Sequence, residues 1–375
     1  MYGLRSGGLS EKQRVARSAM KFEQSLRENV PLAPMTTLGI GGPARYFADI
    51  TDNEALLAGV NWAASRDVPM FVLGGGSNIV VADTGFPGLV LRVCIRGIVT
   101  KLDGDHVELT AGAGEEWDPL VARSAANNWT GWECLSGIPG RVGATPIQNV
   151  GAYGQDTSET LIWVEAFDLN TRKLVRLSAA DCEFGYRSSR FKKRDRERFI
   201  ITRVSYRLKV GGAPAIRYPE LQRHLAGRGL NTPASADVRE SVLAIRRGKA
   251  MVIDPSEPDS RSVGSFFVNP TVTVEEFSRM KSLSERWLHP GEEIPSYPAG
   301  DNLLKLPAGW LIEHAAVKRG YIHGNVGTSS KHALAIINRG GGTAKEILEL
   351  KELIQSLVLQ RFGIELTPEP VLIGF

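Results

Sequence analysis

Two glycine-rich, nearly uncharged stretches constrain this chain more than anything else in it: "LGGGSN" (73–78) and "GIPGRVGATPIQNVGAYGQ" (137–155). Consecutive glycines let a backbone take positive φ and bring its N–H groups against a phosphate. The first stretch follows an apolar run, so a tight turn between two strands would explain it equally well. Neither common nucleotide fingerprint is present. No G-x-G-x-x-G opens a helix, and no Lys-Ser or Lys-Thr pair closes a P-loop. The second stretch is rich in backbone donors and poor in charge, with Gln148 and Asn149 as its main amide side chains. A loop that long is uncommon unless it wraps a ligand. Together the two point to a large, phosphate-bearing, partly apolar ligand such as a dinucleotide.

A chain of 375 residues predicts two or three domains. Its 42% hydrophobic and 23% charged residues describe an ordinary soluble globular protein. The net charge of +4 is too thin to argue for nucleic acid. The densest basic run, "RFKKRDRERF" (190–199), alternates its charges as a solvated surface does. Cys94, Cys134 and Cys182 stand far apart without a C-x-x-C, so zinc and dithiol chemistry are not expected and a reducing compartment is. The histidines show no metal spacing. The first thirty residues lack the apolar core of a signal peptide, and no run approaches the ~20 apolar residues of a membrane helix. The expectation is a cytoplasmic protein with a polar N-terminal extension over 1–29.

Regular structure is expected from about residue 34. "PARYFADI" reads as a strand, and "TDNE" (51–54) as a capping box opening the helix "EALLAGVNWAASRD". "VPMFVLGGGSNIVVAD" reads as strand, glycine turn, strand. These make a first lobe over 30–92. Short strands then dominate ("HVELTAG", "LIWVEAFDL", "RKLVRLS", "FIITRVSYRL"), with one helix in "EEWDPLVARSAANNW", giving an α+β second lobe over 93–250. "ADVRESVLAIRRGKAM" reads as a helix leading into a third unit over 251–375. There "TAKEILELKELIQSLVLQRFG" is the clearest helix: Thr343 and Glu346 form a capping box, Ile347, Leu350, Ile354, Leu357 and Val358 one stripe, and Gly363 a stop.

"RSVGSFFVNP" (261–270) sets one hydroxyl, Ser265, beside two phenylalanines. A nucleophile, a proton donor and a plain turn serine all fit the stretch alone, although no G-x-S-x-G elbow surrounds it. The remaining motifs narrow the choice. "LGGGSN", "IPGRVGATPIQNVGAYGQ", "FGYRSSRFK" (184–192), "GSFFVNP", "LPAGWLIEHA" (306–315), "GTSSKHALAIIN" (327–338) and "LTPEPVLIG" (366–374) resemble, in order, those of the bacterial UDP-N-acetylenolpyruvoylglucosamine reductase family. The likeness covers nearly everything from about residue 30 onward.

That resemblance implies an α+β fold: a two-lobed FAD-binding domain of the vanillyl-alcohol-oxidase (PCMH) type, then a C-terminal α/β substrate-binding domain. It implies non-covalent FAD and NADPH as hydride donor. NADPH and UDP-N-acetylglucosamine enolpyruvate would share one site on a monomer without metal, nucleic acid or membrane insertion. The implied reaction turns an enolpyruvyl ether into a lactyl ether for peptidoglycan precursor synthesis, and so serves cell shape and division. Negative charge gathers on C2 and the adjoining carboxylate, and one proton must reach C2, so a charge stabiliser and an acid are both needed.

By resemblance, Ser265 matches the proton donor, and Arg187 and Glu369 the other two catalytic positions. Arginine can grip a carboxylate at two points. Glu369 cannot stabilise an anion while ionised, so a protonated or proton-sharing glutamate is expected. FAD contacts fall on Gly74, Gly75, Gly76, Ser77 and Asn78 and on Ile138, Gly140, Gly143, Ala144, Gln148, Asn149, Gly151, Ala152 and Tyr153. Substrate contacts fall on Tyr218, Lys249, Asn269 and His332, and Tyr218 marks the subgroup with a loop closing over the UDP diphosphate. One departure stands out: the family's "YRDS" is Tyr186-Arg187-Ser188-Ser189 here. A flavin-binding module without catalysis, or an oxidase of small alcohols, would need the glycine stretches but not Arg187, Ser265 and Glu369 together.

Overall fold

The computed structural model describes residues 11–375. Regular structure starts earlier than expected. Helix α1 (Glu11–Ser25) and strand β1 (Arg27–Pro31) precede residue 34. The helix escapes notice because, among its described side chains, Phe22 is the one large group it buries. That ring lies where a side chain on Gly59 would stand, 2.8 Å from its Cβ, so a glycine on the neighbouring helix makes the docking possible.

The first sheet runs β1–β2–β5–β3, with β2 (Pro43–Ile50), β3 (Met70–Leu73) and β5 (Phe86–Val93) parallel and β1 antiparallel at the edge. Helix α2 (Asn53–Ser65) connects β2 to β3 and buries Leu56, Gly59, Val60 and Ala63, one helical stripe. Its N-cap is Asp52, whose carboxylate accepts from Ala55 N–H at 2.8 Å, and not the Thr51 of the expected box. A carboxylate at that end also complements the helix dipole. Strand β4 (Ile79–Val81) leaves this sheet altogether, for reasons given below.

The second lobe is an antiparallel sheet, β12–β11–β13–β7–β6, built from β6 (Ile98–Asp103), β7 (His106–Gly112), β11 (Leu161–Asp168), β12 (Lys173–Ser178) and β13 (Phe199–Val210). Helix α3 (Trp117–Ala126) packs on this core, and the short β8 (Trp129–Thr130) joins the sheet by pairing with the end of β13. A hairpin of β9 (Gly151–Ala152) and β10 (Gln155–Asp156) turns at the end of the second glycine stretch. Trp117, Trp132 and Tyr206 form the core's aromatic knot, with Trp132 4.8 Å from Tyr206 edge to face. The Tyr206 hydroxyl, fully buried, bonds Thr145 Oγ1 at 2.7 Å and so anchors the second glycine stretch to that core.

Helices α4 (Pro219–Gly227) and α5 (Ser235–Gly248) pack Leu221, Leu225, Val238, Val242 and Ile245 around Cys134. The sequence reading placed no helix at 219–227; it is short and starts on a proline, a favoured first position. The third unit holds β14 (Thr271–Thr273), α6 (Val274–Ser284), β15 (Tyr297–Pro298), β16 (Leu303–Lys305), α7 (Ala308–His314), β17 (Ile322–His323), β18 (Val326–Thr328), β19 (Ile336–Asn338), α8 (Ala344–Phe362) and β20 (Val371–Ile373). Helix α8 follows its sequence signature: Thr343 and Glu346 close the capping box and Gly363 ends it at φ 68°.

Two features lace this unit to the first. Asp83 receives N–H bonds from Ala344 (2.8 Å) and Lys345 (3.1 Å) at the start of α8. Strand β20 pairs in parallel with β4, Val371 opposite Ile79 and Ile373 opposite Val81. That pairing is why β4 stands apart from β3, and it carries the residues before β20 to the glycine turn.

Candidate active site

The two glycine stretches meet backbone to backbone. A Cβ on Gly75 would stand 2.6 Å from Gly140 Cα, and one on Gly76, at φ 64°, 1.9 Å from the Met35 carbonyl. Ser77 Oγ donates to the Pro139 carbonyl at 3.2 Å. Asn78 Nδ2 donates to Gln148 Oε1 at 3.0 Å and to the Glu369 carbonyl at 3.3 Å, joining both stretches to the C-terminal segment. Asn149, buried at φ 47°, donates to the Gly185 carbonyl at 3.2 Å and accepts from Ser158 N–H at 3.0 Å. Gly143 approaches Ala113 too closely for a side chain, and Ala144 faces Gly74. Ile138 and Ala152 pack against the second-lobe core.

The far end of the second stretch is fixed electrostatically. Asp118 accepts both Arg239 nitrogens, at 2.6 and 2.9 Å, and the Gly137 N–H at 2.6 Å. Burial pushes the Asp118 carboxyl up, but these bonds outweigh it and hold the group below its ordinary value. Arg246, one helical turn before Lys249, donates to the carbonyls of Gly137 (3.2 Å) and Met251 (2.7 Å). Its buried Nε has no partner among the described residues, and burial lowers the guanidinium below its ordinary value. Close-packed glycine backbone beside an orphaned buried donor fits a dinucleotide carrying phosphate and carbonyl oxygens.

Beside these stretches three distant parts of the chain converge. Arg187 occupies a tight turn in which Gly185 N–H bonds the Ser188 carbonyl (2.9 Å) and Ser188 N–H the Gly185 carbonyl (3.1 Å). Arg187 sits at φ 49°, costly for an arginine, and its Nε lies 3.5 Å from Glu369 Oε1. Glu369 comes from the segment leading into β20. Its N–H donates to the Phe266 carbonyl at 2.9 Å and Val268 N–H donates to the Thr367 carbonyl at 3.0 Å, so Ser265 and Glu369 lie on paired segments. Phe266 and Phe267 are buried while Ser265 is half-buried. Gly264, at φ 75°, makes the turn that presents the serine.

A second cluster flanks the first. Tyr218, at the start of α4 rather than within a free loop, packs edge-on against Tyr153 with ring centroids 5.5 Å apart. Burial pushes the Tyr153 hydroxyl up to about 12. Lys249 Nζ lies 2.6 Å from Glu220 Oε2 and 6.0 Å above the Tyr153 ring. His332 Nδ1 accepts from Leu334 N–H at 3.1 Å, and burial, then the Lys249 charge, hold its imidazole below the ordinary value. Asn269 Oδ1 accepts from Ala308 N–H at 2.9 Å, the first position of α7.

Sequence reasoning missed Lys192, Lys305, Glu220 and Arg246. Lys192 donates to the Arg187 carbonyl at 3.2 Å, and the Lys305 ammonium lies 4.1 Å above the Tyr186 ring. Only the position of Arg246 one turn from Lys249 could have signalled any of them. Two surface grooves of about 210 and 500 Å³, sharing His106, Glu159, Thr160 and Arg207, lie on the second lobe and involve none of the expected site residues.

Ser188, standing where the family has aspartate, has a buried hydroxyl without a partner among the described residues. Such a group costs stability, so Ser188→Ala should leave the melting temperature unchanged or raise it, by up to about 1 kcal/mol of stability in thermal unfolding. A clear fall would mean that the hydroxyl is bonded in solution.

Residues 44–178 match the family model of an FAD binding domain. That match makes the chain a flavoprotein. Residues 254–373 match the C-terminal domain of UDP-N-acetylenolpyruvoylglucosamine reductase. Reductases of that name from Thermobifida fusca and Streptomyces coelicolor are 47% and 43% identical. The matches cover 93% and 92% of this chain and 98% and 90% of theirs. The crystal structure of the reductase from Thermus caldophilus superposes with a TM-score of 0.63 at 26% identity, covering 93% of this chain and 99% of that one. The chain belongs to the UDP-N-acetylenolpyruvoylglucosamine reductase family. The α+β architecture with an FAD-binding domain and a distinct C-terminal domain agrees with the sequence reading. No helix among the described residues is long and apolar enough to cross a membrane.

Proposed function

We propose that this chain reduces UDP-N-acetylenolpyruvoylglucosamine to UDP-N-acetylmuramate for peptidoglycan precursor synthesis, using non-covalently held FAD and NADPH as donor. One observation carries the reading: Arg187 and Glu369, 3.5 Å apart, meet the Ser265 segment beside two glycine stretches packed backbone to backbone, in a member of this family. FAD would be held by residues 74–78 and 138–153, and when bound it supplies hydride chemistry that no side chain has.

The protein's own groups divide the remaining work. Arg187 takes the substrate carboxylate and stabilises the charge that grows on it during reduction. Glu369, beside Arg187 and shielded from water, shares a proton with that developing anion. Ser265, half-buried between Gly264 and the phenylalanines, delivers the proton to C2. Tyr218, Lys249, Asn269 and His332 form the nucleotide side, where Lys249 would exchange Glu220 for phosphate. NADPH and the enolpyruvyl nucleotide would use this one site in turn. We further read the chain as a cytoplasmic monomer with two FAD-binding lobes (30–92, onto which α1 and β1 pack, and 93–250) and a substrate-binding domain (251–375).

Purified protein should be yellow, and acid precipitation should leave all flavin in the supernatant. It should consume NADPH beyond one equivalent per flavin only when the enolpyruvyl nucleotide is added, yielding the lactyl ether by mass. Colourless protein, or steady oxygen consumption with small alcohols instead, would overturn the reading. Tyr218, 45% exposed at the mouth, is assigned to the lid over the diphosphate. Tyr218→Phe should raise the substrate KM several-fold with FAD content unchanged, since about 0.5–1.5 kcal/mol is lost with one neutral hydrogen bond. An unaltered KM removes that role from the hydroxyl.

A further inference from the structure

The geometry around Arg187 leaves one question open: what keeps an arginine in the left-handed region at φ 49°? The turn's own bonds join Gly185 to Ser188 and do not involve Arg187. The neighbouring Ser188 hydroxyl contributes nothing, because it has no partner among the described residues. The Arg187 carbonyl, however, accepts from Lys192 Nζ at 3.2 Å.

Lys192 is placed to do this. Ser189, fully buried, donates from Oγ to the Ile147 carbonyl at 2.5 Å and accepts from Phe191 N–H at 3.2 Å. The segment carrying Lys192 is thereby bolted to the second glycine stretch. Lysines usually extend their ammonium into water, but this one is half-buried. Burial lowers its ammonium below the ordinary value, while the Glu369 charge opposes that shift. Lys192 and Arg187 set two cationic groups side by side, which suits the arrival of a carboxylate. From the other side, Lys305 lies 4.1 Å over the ring of Tyr186, so the turn is held between two cations.

We propose that Lys192 is a positioning residue: its bond to the Arg187 carbonyl holds the Tyr186–Arg187 turn so that the guanidinium faces Glu369 and the incoming carboxylate. The proposal rests on the catalytic reading of Arg187 given above. A lysine that merely fills surface space would share its burial but not its effect on Arg187.

Two readouts on the FAD-loaded enzyme test it. In a crystal structure of Lys192→Met, Arg187 should leave its left-handed conformation or move out of ion-pair distance of Glu369. An unchanged turn overturns the proposal, whatever substrate the enzyme turns over. In kinetics, Lys192→Met should lower kcat with the enolpyruvyl nucleotide by about 10–100-fold, the scale of a small misplacement of a catalytic group, with the NADPH KM and FAD content unchanged. The same change in an Arg187→Ala background should cost less than about threefold, because residues acting as one unit are not additive. Lys192→Arg, which keeps a cationic donor, should recover most of the rate. Fully multiplicative losses, or an arginine variant as impaired as the methionine one, overturn it. If Lys192→Met does not hold FAD, Lys192→Gln is put through the same two readouts with the same outcomes. A wild-type enzyme that ignores the nucleotide would count against the proposed function, and the crystal readout would still decide the role of Lys192.

Discussion

Ser265→Ala is expected to slow conversion of the enolpyruvyl nucleotide by about 10²–10⁴-fold, the usual contribution of a positioned general acid. Bleaching of the yellow colour by NADPH should stay near the wild-type rate, because that half of the cycle needs no proton at C2. The structure favours a clean separation. Ser265 is half-buried on a segment fixed by the Phe266–Glu369 and Val268–Thr367 backbone bonds, none of which uses its side chain. Alanine therefore leaves the paired strands intact. Substrate affinity should change less than about tenfold, since one uncharged hydrogen bond contributes only about 0.5–1.5 kcal/mol. Rapid-mixing absorbance of the two half-reactions makes the comparison. Equal slowing of both would show that Ser265 shapes the site instead of donating a proton.

Gly75→Val is expected to remove the flavin altogether. Its Cβ would stand 2.6 Å from Gly140 Cα, 3.1 Å from Gly140 C and 3.3 Å from Arg141 N, all backbone atoms that no rotamer change can move aside. Gly75 is not in the left-handed region, so the obstacle is room and not strain. The two glycine stretches must part, and the surface they form together loses its shape. Gel-filtered protein should carry less than about a fifth of the wild-type flavin, the occupancy change that about 1.4 kcal/mol brings near half-saturation. Gly227→Ala, at the end of α4 with nothing within 4 Å of its Cβ, should keep full occupancy. A valine variant with stoichiometric FAD would mean that the paired glycine stretches do not hold the flavin.

Much of this was legible in the sequence for local reasons. Helix α8 announces itself because its cap residues, apolar stripe and terminal glycine all act within a few residues of each other. Strands β7, β11 and β13 show as apolar runs bounded by turn residues. The glycine stretches are legible because close backbone approach forbids side chains, a demand written directly into residue type. What stayed hidden depends on partners far away in sequence. Helix α1 looks like solvated chain, since Phe22 matters only once Gly59 gives it room. Asp52 and Thr51 are both good caps, and only the helix's actual start chooses between them. Lys192 reads as one more basic residue in "RFKKRDRERF" until its Nζ is seen on the Arg187 carbonyl.

The pairing of β20 with β4 also sets a timetable for folding. Asn78 and the Glu369 carbonyl that it bonds are 291 residues apart, so closing this contact confines almost the whole chain in one loop. Contacts of such separation form late, because the entropy of loop closure is lost before they return anything. The first lobe can acquire its parallel sheet and the second its antiparallel one well beforehand, since their pairings are far more local. Flavin capture would therefore mark the final stage of refolding: secondary structure should return first, and quenching of free FAD fluorescence should follow as a separate, slower phase.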